Sequence, residues 1–279
     1  MFGHMQAFTD HYLKLLELTG YSTASEDNIP FQYQCESEAA ELRKLRQTYD
    51  LEKAAGSGDE LSRIINLMKW VGQKLKHGDV PAPDPCHALH VLEHVRQTGA
   101  RMNCYAIATV LNEAYLSLGF RSRRVYCRPY DPYDPDSHVV TAVFSESLRK
   151  WVYMDASWSH FVTDDQGILL SPEEFRYRLG QRLPVRLNGN PESSEWNEFY
   201  LSYMAKNLFW FMTPLHSEYN AEAVRPSKTY CVLLPEHFEP VEMKQAPPEN
   251  VSVIVSRSPL HFWSPPAAHV ADKETAPAK

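Results

Sequence analysis

The 279-residue chain has no long apolar run, no cluster of positive charge and no internal repeat. A membrane-spanning helix needs about 18 consecutive apolar residues, and no segment approaches that length. Lys and Arg number 28 against 35 Asp and Glu, a net charge of −7, so the chain lacks the clustered cations that bind nucleic-acid phosphates. We therefore expect neither a membrane nor a nucleic acid as a partner.

The sequence also lacks a secretory signal and a regular arrangement of cysteines. The first residues, MFGHMQAFTDHY, have neither the basic start nor the apolar stretch of a signal peptide. The cysteines are odd in number and scattered, unlike a disulfide framework; they are Cys35, Cys86, Cys104, Cys127 and Cys231. We expect free thiols and a cytoplasmic protein.

Helical periodicity dominates the first half of the chain. The spacing of apolar residues predicts helices over 8–19 and 37–55, another that begins after Asp59, and one over 86–97. Asp59 is a suitable N-cap, because its carboxylate can accept a hydrogen bond from an amide of the first turn. The stretch HGDVPAPDP, between the last two helices, is rich in proline and predicts a loop.

After Gly119 the pattern changes to the alternation that is typical of β-strands. The segments RSRRVYC, SHVVTAVF and RKWVYMD, at 121–127, 137–144 and 149–155, are rich in β-branched and aromatic residues and predict three strands. The intervening RPYDPYDPDS is too rich in Pro and Asp for a strand and predicts an ordered loop. Helices followed by an antiparallel meander indicate the α+β class, with a central helix packed on an antiparallel sheet.

Helices and strands alternate again beyond residue 160. Ser171 and Pro172 mark the start of a helix, and an aromatic-rich segment predicts a longer one over 194–212, whose broad apolar face we expect in the core. The segments TYCVLLP and VSVIVS predict two more strands. We expect a helical N-terminal segment over 1–58, a core over 59–165, a C-terminal part over 166–264 that completes the same domain, and a disordered tail over 265–279.

The stretch MNCYAIATVLNEAYLSLGF places a cysteine in the first turn of a helix. Ile107, Val110 and Leu111 follow Cys104 at helical spacing, and Asn103 is a good N-cap. The unpaired amides and the positive end of the helix dipole favour a thiolate over a thiol at this position, which makes the cysteine more reactive. The same amides can hold an oxyanion. Cys104 is therefore a candidate nucleophile.

A thiolate nucleophile needs a base that also protonates the leaving group, and a third group that orients this base. The segment SHVVTAVFSESLRKWVYMDAS carries a histidine and an aspartate on two adjacent predicted strands. A turn centred on Glu146 and Ser147 would place His138 directly opposite Asp155, within reach of a hydrogen bond. The residues thus predict a triad in the chain order Cys104, His138, Asp155.

Together these features resemble the core of the transglutaminase-like (papain-like) superfamily in its bacterial form. The resemblance covers roughly residues 60–160. It lies in the cysteine that opens a helix, in LGFRSRRVY leading into a strand, in a histidine at the head of the next strand and in KWVYMDAS on the one after. It implies a papain-like fold in which Cys104 is the nucleophile, His138 the general base and acid, and Asp155 the orienting carboxylate.

The resemblance also implies a reaction class. A cysteine enzyme of this kind attacks an amide, peptide or thioester carbonyl and forms an acyl-enzyme, which water hydrolyses or an amine converts to a new amide. It needs no cofactor. We expect the substrate to be a peptide, a protein or an acyl thioester, which includes an acylated carrier protein.

The chain departs from the animal cross-linking transglutaminases around the nucleophile. Met102 and Asn103 replace the Gly-Gln that precedes their cysteine, and Tyr105 replaces the Trp that follows it. Nothing in the chain resembles their calcium sites. The resemblance therefore does not extend to calcium-dependent protein cross-linking.

Two other functions stay open. Arylamine N-acetyltransferases also order Cys, His and Asp in a chain of similar length, and they acylate their cysteine from acetyl-CoA. The Arg-Gly-Gly before their nucleophile is absent here, where Arg101, Met102 and Asn103 stand. A transglutaminase-like scaffold can also serve as a binding module without catalysis, although none of the three triad positions is degenerate in this chain.

The loop RPYDPYDPDS holds weaker candidates for substrate contact. It ends at His138, and loops beside a catalytic base often carry binding residues. Arg128, Tyr130 and Tyr133 are the side chains of this region that we expect to touch the substrate.

The segment CHALHVLEH raises the possibility of a metal site. Cys86, His90 and His94 would lie on one face of a helix. No second ligand-rich segment completes a coordination shell, so we expect a solvated or partly packed helix and no bound metal.

Overall fold

A computed structural model describes residues 6–24, 28–35, 38–190, 194–241 and 247–267. The described chain mixes helices with a largely antiparallel sheet, as the α+β expectation requires. Most of the predicted C-terminal tail, residues 268–279, lies outside the described residues. None of the described helices is long and apolar enough to cross a membrane.

Helices form the greater part of the chain up to residue 117. They are α1 (Thr9–Leu18), α2 (Ala40–Thr48), α3 (Leu51–Ala55), α4 (Glu60–Lys74), α5 (Ala88–Thr98) and α6 (Cys104–Ser117). The predicted cap at Asp59 is confirmed, because its carboxylate accepts a hydrogen bond from the Ser62 amide at 2.8 Å.

The single helix predicted over 37–55 is wrong. The structure has two helices, α2 and α3, and residue 37 lies outside the described residues. Asp50 separates the two helices with a φ of 48°, in the left-handed region that an α-helix cannot contain.

The strands are β1 (Gln32–Tyr33), β2 (Ser122–Arg128), β3 (His138–Ser145), β4 (Lys150–Asp155), β5 (His160–Thr163), β6 (Arg186–Leu187), β7 (Trp210–Pro214), β8 (His216–Ser217), β9 (Lys228–Leu233) and β10 (Val251–Ser256). Eight of them form one sheet in the order β10-β9-β7-β2-β3-β4-β5-β6. Adjacent strands in this sheet are antiparallel, except for β9 and β10, which are parallel. The short strands β1 and β8 form a separate parallel pair.

The C-terminal half adds α7 (Pro172–Gly180), α8 (Glu195–Asn207), α9 (Ala221–Val224) and α10 (Pro259–Phe262). Ser171 caps α7 as predicted and forms a capping box with Glu174. The helix predicted over 194–212 is wrong beyond Asn207, since residues 210–214 are strand β7. A short apolar run fits either structure, and here pairing with both β2 and β9 decides for a strand.

Helix α6 lies at the centre of the molecule and packs on β3. Every residue from Ala106 to Ser117 is buried, which sets α6 apart from the amphipathic helices around it. One apolar layer joins α6 to α4, α5 and the residues of β3 and β4 that face them, among them Val143 and Val152. A second layer, with Tyr153 and Tyr200, fills the space between the sheet and α7 and α8. The first turn of α6 is therefore held in place by the surrounding core.

Candidate active site

Cys104 is the first residue of α6, and its side chain is half-buried. The Asn103 carboxamide oxygen accepts a hydrogen bond from the Ala106 amide at 2.9 Å, which confirms the predicted cap. Two backbone bonds of 2.9 Å each, from Met102 to the Lys76 carbonyl and from Gly78 to the Met102 carbonyl, tie the approach to α6 to the loop after α4. The position of the thiol is thus fixed from both sides of the helix start.

His138 is the first residue of β3, and Asp155 is the last residue of β4. Both side chains are 1% exposed. The Nε2 atom of His138 lies 2.7 Å from the Oδ2 atom of Asp155. The other ring nitrogen, Nδ1, is then the one available to the Cys104 thiol, with which His138 forms a side-chain hydrogen bond. One imidazole therefore joins the thiol to the carboxylate.

The predicted register of this hairpin is wrong by two residues. β3 and β4 pair Thr141 with Met154 and Ser145 with Lys150, so four residues form the turn instead of two. Asp155 is therefore a diagonal neighbour of His138 and does not lie directly opposite it. Because the shift is an even number, both side chains keep the same face, and diagonal neighbours remain within reach of long side chains.

Two features of the turn explain the shift. Arg149 has a φ of 52°, the left-handed conformation that closes the longer turn. The Glu60 carboxylate accepts hydrogen bonds from the amides of Glu146 at 2.7 Å and Ser147 at 2.9 Å. A glutamate from α4 thus holds the turn, an interaction that no local pattern in the hairpin sequence predicts.

The Asp155 carboxylate accepts three hydrogen bonds. Besides the bond to His138, Oδ2 accepts one from the Tyr200 hydroxyl at 2.8 Å, and Oδ1 accepts one from the Ser157 amide at 2.9 Å. The Tyr153 hydroxyl lies 2.6 Å from that of Tyr200 and continues the network into the core. Burial raises the pKa of Asp155, but the charge of His138 and the hydrogen bonds from His138 and Tyr200 outweigh burial and lower it. Asp155 is therefore ionised at neutral pH.

The pKa values of Cys104 and His138 are shifted in opposite directions. Burial raises the pKa of the Cys104 thiol, but hydrogen bonds from His138 and His77 outweigh it and bring the pKa down to about 6. Burial lowers the pKa of His138, whereas the Asp155 carboxylate and the bond to Cys104 raise it to about 10. At a pH between these two pKa values, Cys104 is a thiolate and His138 is an imidazolium.

A family model identifies the part of the chain that carries this site. Residues 47–156 match the model of the transglutaminase-like superfamily core. These residues are a transglutaminase-like core. Cys104, His138 and Asp155 all lie inside it, and Asp155 is next to its last residue.

Two solved structures match parts of this chain at low sequence identity and low TM-score. A candidate cysteine protease from Cytophaga hutchinsonii is 14% identical, with a TM-score of 0.34, and the match covers 60% of this chain and 53% of that protein. A candidate protease from Parabacteroides distasonis is 18% identical, with a TM-score of 0.29, over 42% of this chain and 26% of that protein. This chain thus spans about half the length of the first protein and about a quarter of the second. A search of curated proteins found no significant sequence match.

The transglutaminase-like core brings a further histidine, His77, to the thiol. His77 forms a side-chain hydrogen bond with Cys104, and its ring lies 4.7 Å from that of Trp158. The main chain on both sides of His77 is bonded to Met102, two residues before the cysteine. Sequence reasoning missed this residue, because it opens a proline-rich loop and belongs to no periodic pattern or motif.

The candidate substrate residues Arg128 and Tyr130 line one cavity at the end of β2. Phe238 and Glu239 complete its wall on the far side. The Arg128 guanidinium lies over the Trp210 ring at 5.4 Å, and the Tyr130 ring contacts Phe238 at 5.6 Å. Tyr133 is 87% exposed on the same loop. The substrate role of Arg128, Tyr130 and Tyr133 stays a prediction.

The loop before His138 is anchored on α8. Lys206, almost fully buried, forms ion pairs with Asp134 at 2.7 Å and with Asp136 at 3.2 Å. The Tyr203 hydroxyl bonds the Asp136 carboxylate at 3.3 Å, and its ring contacts the His138 ring at 5.3 Å. Helix α8 therefore fixes both the loop and the imidazole at the edge of the transglutaminase-like core.

The histidines of CHALHVLEH form a row along α5. The rings of His87 and His90 are 5.9 Å apart, and those of His90 and His94 are 6.2 Å apart. His87 Nδ1 lies 2.6 Å from the Tyr219 hydroxyl. Over the residues that the structure describes, no group of three or more His, Cys, Asp and Glu side chains has an arrangement that could hold a metal ion.

Proposed function

We propose that this protein is a cysteine-dependent acyl-transfer enzyme that acts on an amide, peptide or thioester carbonyl through an acyl-enzyme. The observation that carries the proposal is that one buried imidazole contacts both the half-buried Cys104 thiol at a helix N-terminus and the ionised Asp155 carboxylate. A nucleophile, a base and a group that orients the base are the parts that this chemistry needs.

In the first half of the proposed reaction, the Cys104 thiolate attacks the carbonyl carbon and forms a carbon–sulfur bond. The π electrons of the carbonyl move to its oxygen. We infer that two donors bind this oxyanion: the Cys104 amide at the start of α6, which has no partner within its helix, and the imidazole N–H of His77, which lies beside the thiol. As the carbonyl re-forms, the bond to the leaving nitrogen or sulfur breaks, and the His138 imidazolium donates its proton to the leaving group.

In the second half, the now neutral His138 takes a proton from water or from an amine. The activated nucleophile attacks the acyl carbon, and the carbon–sulfur bond breaks. Water gives hydrolysis, and an amine gives a new amide. Asp155 holds the imidazole in orientation throughout and stabilises its charged form, and Tyr200 holds Asp155 in turn.

The test uses a simple acyl donor, the acetyl thioester of N-acetylcysteamine, followed by intact mass. We expect one acetyl group to accumulate on Cys104, to be absent in Cys104→Ala and to form far more slowly in His138→Ala. Cys35→Ala is the matched control, since Cys35 is also a half-buried cysteine, and Cys104 in this variant should acylate normally. An unlabelled Cys104 under these conditions would contradict the proposal and favour a binding module.

A further inference from the structure

Six aromatic side chains form a closed circuit of contacts that begins and ends at the Cys104 thiol. His77 and His138 each form a hydrogen bond with the thiol. From His77, ring centroids follow one another at 4.7 Å to Trp158, 5.0 Å to Trp196, 5.3 Å to Phe199, 6.2 Å to Tyr203 and 5.3 Å to His138. We call this set, His77, Trp158, Trp196, Phe199, Tyr203 and His138, the aromatic rim.

The aromatic face of α8, which we expected in the core, lies there only in part, and Tyr203 packs against the core as a partly buried side chain. Trp196, Phe199 and Tyr203 are partly exposed, whereas Tyr200 and Met204, on the adjoining strip of α8, are fully buried. Three large rings at i, i+3 and i+7 therefore form one accessible stripe. This stripe runs from the Trp158 side of the site to the imidazole of His138.

The chemistry of the rim favours a flat, apolar ligand. Its side chains are two histidines, two tryptophans, a phenylalanine and a tyrosine, and aromatic rings prefer edge-to-face or offset contacts with other rings. Over the described residues, the buried indole N–H of Trp158 and the buried Ser157 hydroxyl have no hydrogen-bond partner. A buried donor without a partner is costly, so a ligand that brings an acceptor gains binding energy there.

We propose that the aromatic rim is a subsite for an aromatic group on the acyl part of the substrate, next to the carbonyl that Cys104 attacks. This proposal rests on the proposed acyl-transfer function and adds the substrate class to it. Trp196 and Phe199 supply the ring surfaces that recognise the group. The Trp158 indole N–H donates a hydrogen bond to an oxygen or nitrogen of the same substrate.

The experiment compares three N-acetylcysteamine thioesters with the same leaving group: acetyl, cyclohexylacetyl and phenylacetyl. The cyclohexylacetyl group is close to phenylacetyl in size but has no aromatic π electrons. We expect phenylacetyl to acylate Cys104 roughly tenfold faster than cyclohexylacetyl at subsaturating thioester, because well-placed ring contacts add to burial alone. This rate preference for phenylacetyl over cyclohexylacetyl should be lost in Phe199→Leu and in Trp196→Leu. It should persist in Tyr177→Leu, a control on α7 whose ring is 59% exposed.

A second measurement needs no reaction. In Cys104→Ala, saturation-transfer NMR should detect phenylacetamide bound more tightly than cyclohexylacetamide, and Phe199→Leu should remove the difference. Equal acylation rates for the three thioesters would overturn the subsite and leave the acyl-transfer function standing. Absence of any acyl group on Cys104 would overturn the function, and the binding of phenylacetamide would then decide the subsite alone.

Discussion

At the level of single residues, the Cys104 thiol and the His138 imidazole change each other's affinity for a proton. Burial alone would neutralise both groups, since it raises the pKa of a thiol and lowers that of an imidazole. The ionised Asp155 raises the pKa of His138, and hydrogen bonds from His138 and His77, together with the charge of His138, then lower the pKa of Cys104. The thiolate state thus depends on interactions that start at Asp155 and reach Cys104 through His138, with a further hydrogen bond from His77.

The first prediction concerns the pH dependence of Cys104 alkylation by iodoacetamide, measured by intact mass. Because the pKa of Cys104 is lowered to about 6, the rate should fall only as the pH drops through this value and the thiolate takes up a proton. In His138→Ala the midpoint should move up towards the ordinary thiol pKa of about 8.5. Acyl transfer should also decline above pH of about 10, where His138 loses its proton. An unchanged midpoint in His138→Ala would refute the ion pair.

The second prediction separates His77 from the nucleophile itself. His77→Ala removes a proposed oxyanion donor, so acetylation by the thioester should slow by roughly 10²-fold. Alkylation by iodoacetamide forms no oxyanion, and well above the Cys104 pKa of about 6 it should change little. His77→Gln keeps an N–H donor and should recover part of the acetylation rate. The control is His94→Ala on α5, and equal losses in both reactions would assign His77 a merely structural role.

At the level of elements, the start of α6 joins stability to reactivity. The Asn103 side chain caps the helix, so Asn103→Ala should cost about 1 kcal/mol in the free energy of unfolding. Asn103→Asp keeps the cap but places a negative charge beside the thiolate, and it should raise the pKa of Cys104. Urea unfolding measures the first effect, and the pH profile of alkylation measures the second. A Cys104 pKa that stays the same in Asn103→Asp would show that the helix start does not act through charge.

Local chemistry made several elements predictable from the sequence. Asp59, Asn103 and Ser171 each cap a helix by a short-range hydrogen bond, and these caps are confirmed. The alternation of β3 and β4 also places His138 and Asp155 on one face in every register that differs from the predicted one by an even number of residues. These features depend on residues that are close together in the chain.

The features that the sequence did not predict depend on distant residues. Glu60 holds the turn that sets the β3–β4 register, from 86 positions away. The strand β7 exists because β2 and β9 pair with it on either side. His77 reaches the thiol through backbone bonds to Met102, across an intervening helix. No periodicity or propensity within a short window reports such contacts.

At the level of the whole molecule, the C-terminal segment closes over the sheet around a buried arginine. Arg123 on β2 is fully buried, and its guanidinium lies 4.2 Å from the Phe31 ring and 4.3 Å from the Trp151 ring. Its Nη2 atom donates a hydrogen bond of 2.7 Å to the Phe262 carbonyl. The expectation that residues 166–264 complete the same domain as 59–165 is still a prediction, and this contact offers a test of it.

The last prediction uses two residues of the short helix α10. Phe262 is fully buried, so Phe262→Ala should cost about 3–5 kcal/mol in the free energy of unfolding by the loss of packing and the cavity left behind. Leu260, in the same helix, is 73% exposed, and Leu260→Ala should stay within about 0.5 kcal/mol of the wild type. If the two parts form one domain, urea unfolding followed by tryptophan fluorescence and by Cys104 alkylation should show one shared transition, shifted in Phe262→Ala only. A Cys104 transition that is unaffected in Phe262→Ala would mean that the transglutaminase-like core unfolds independently of the C-terminal part.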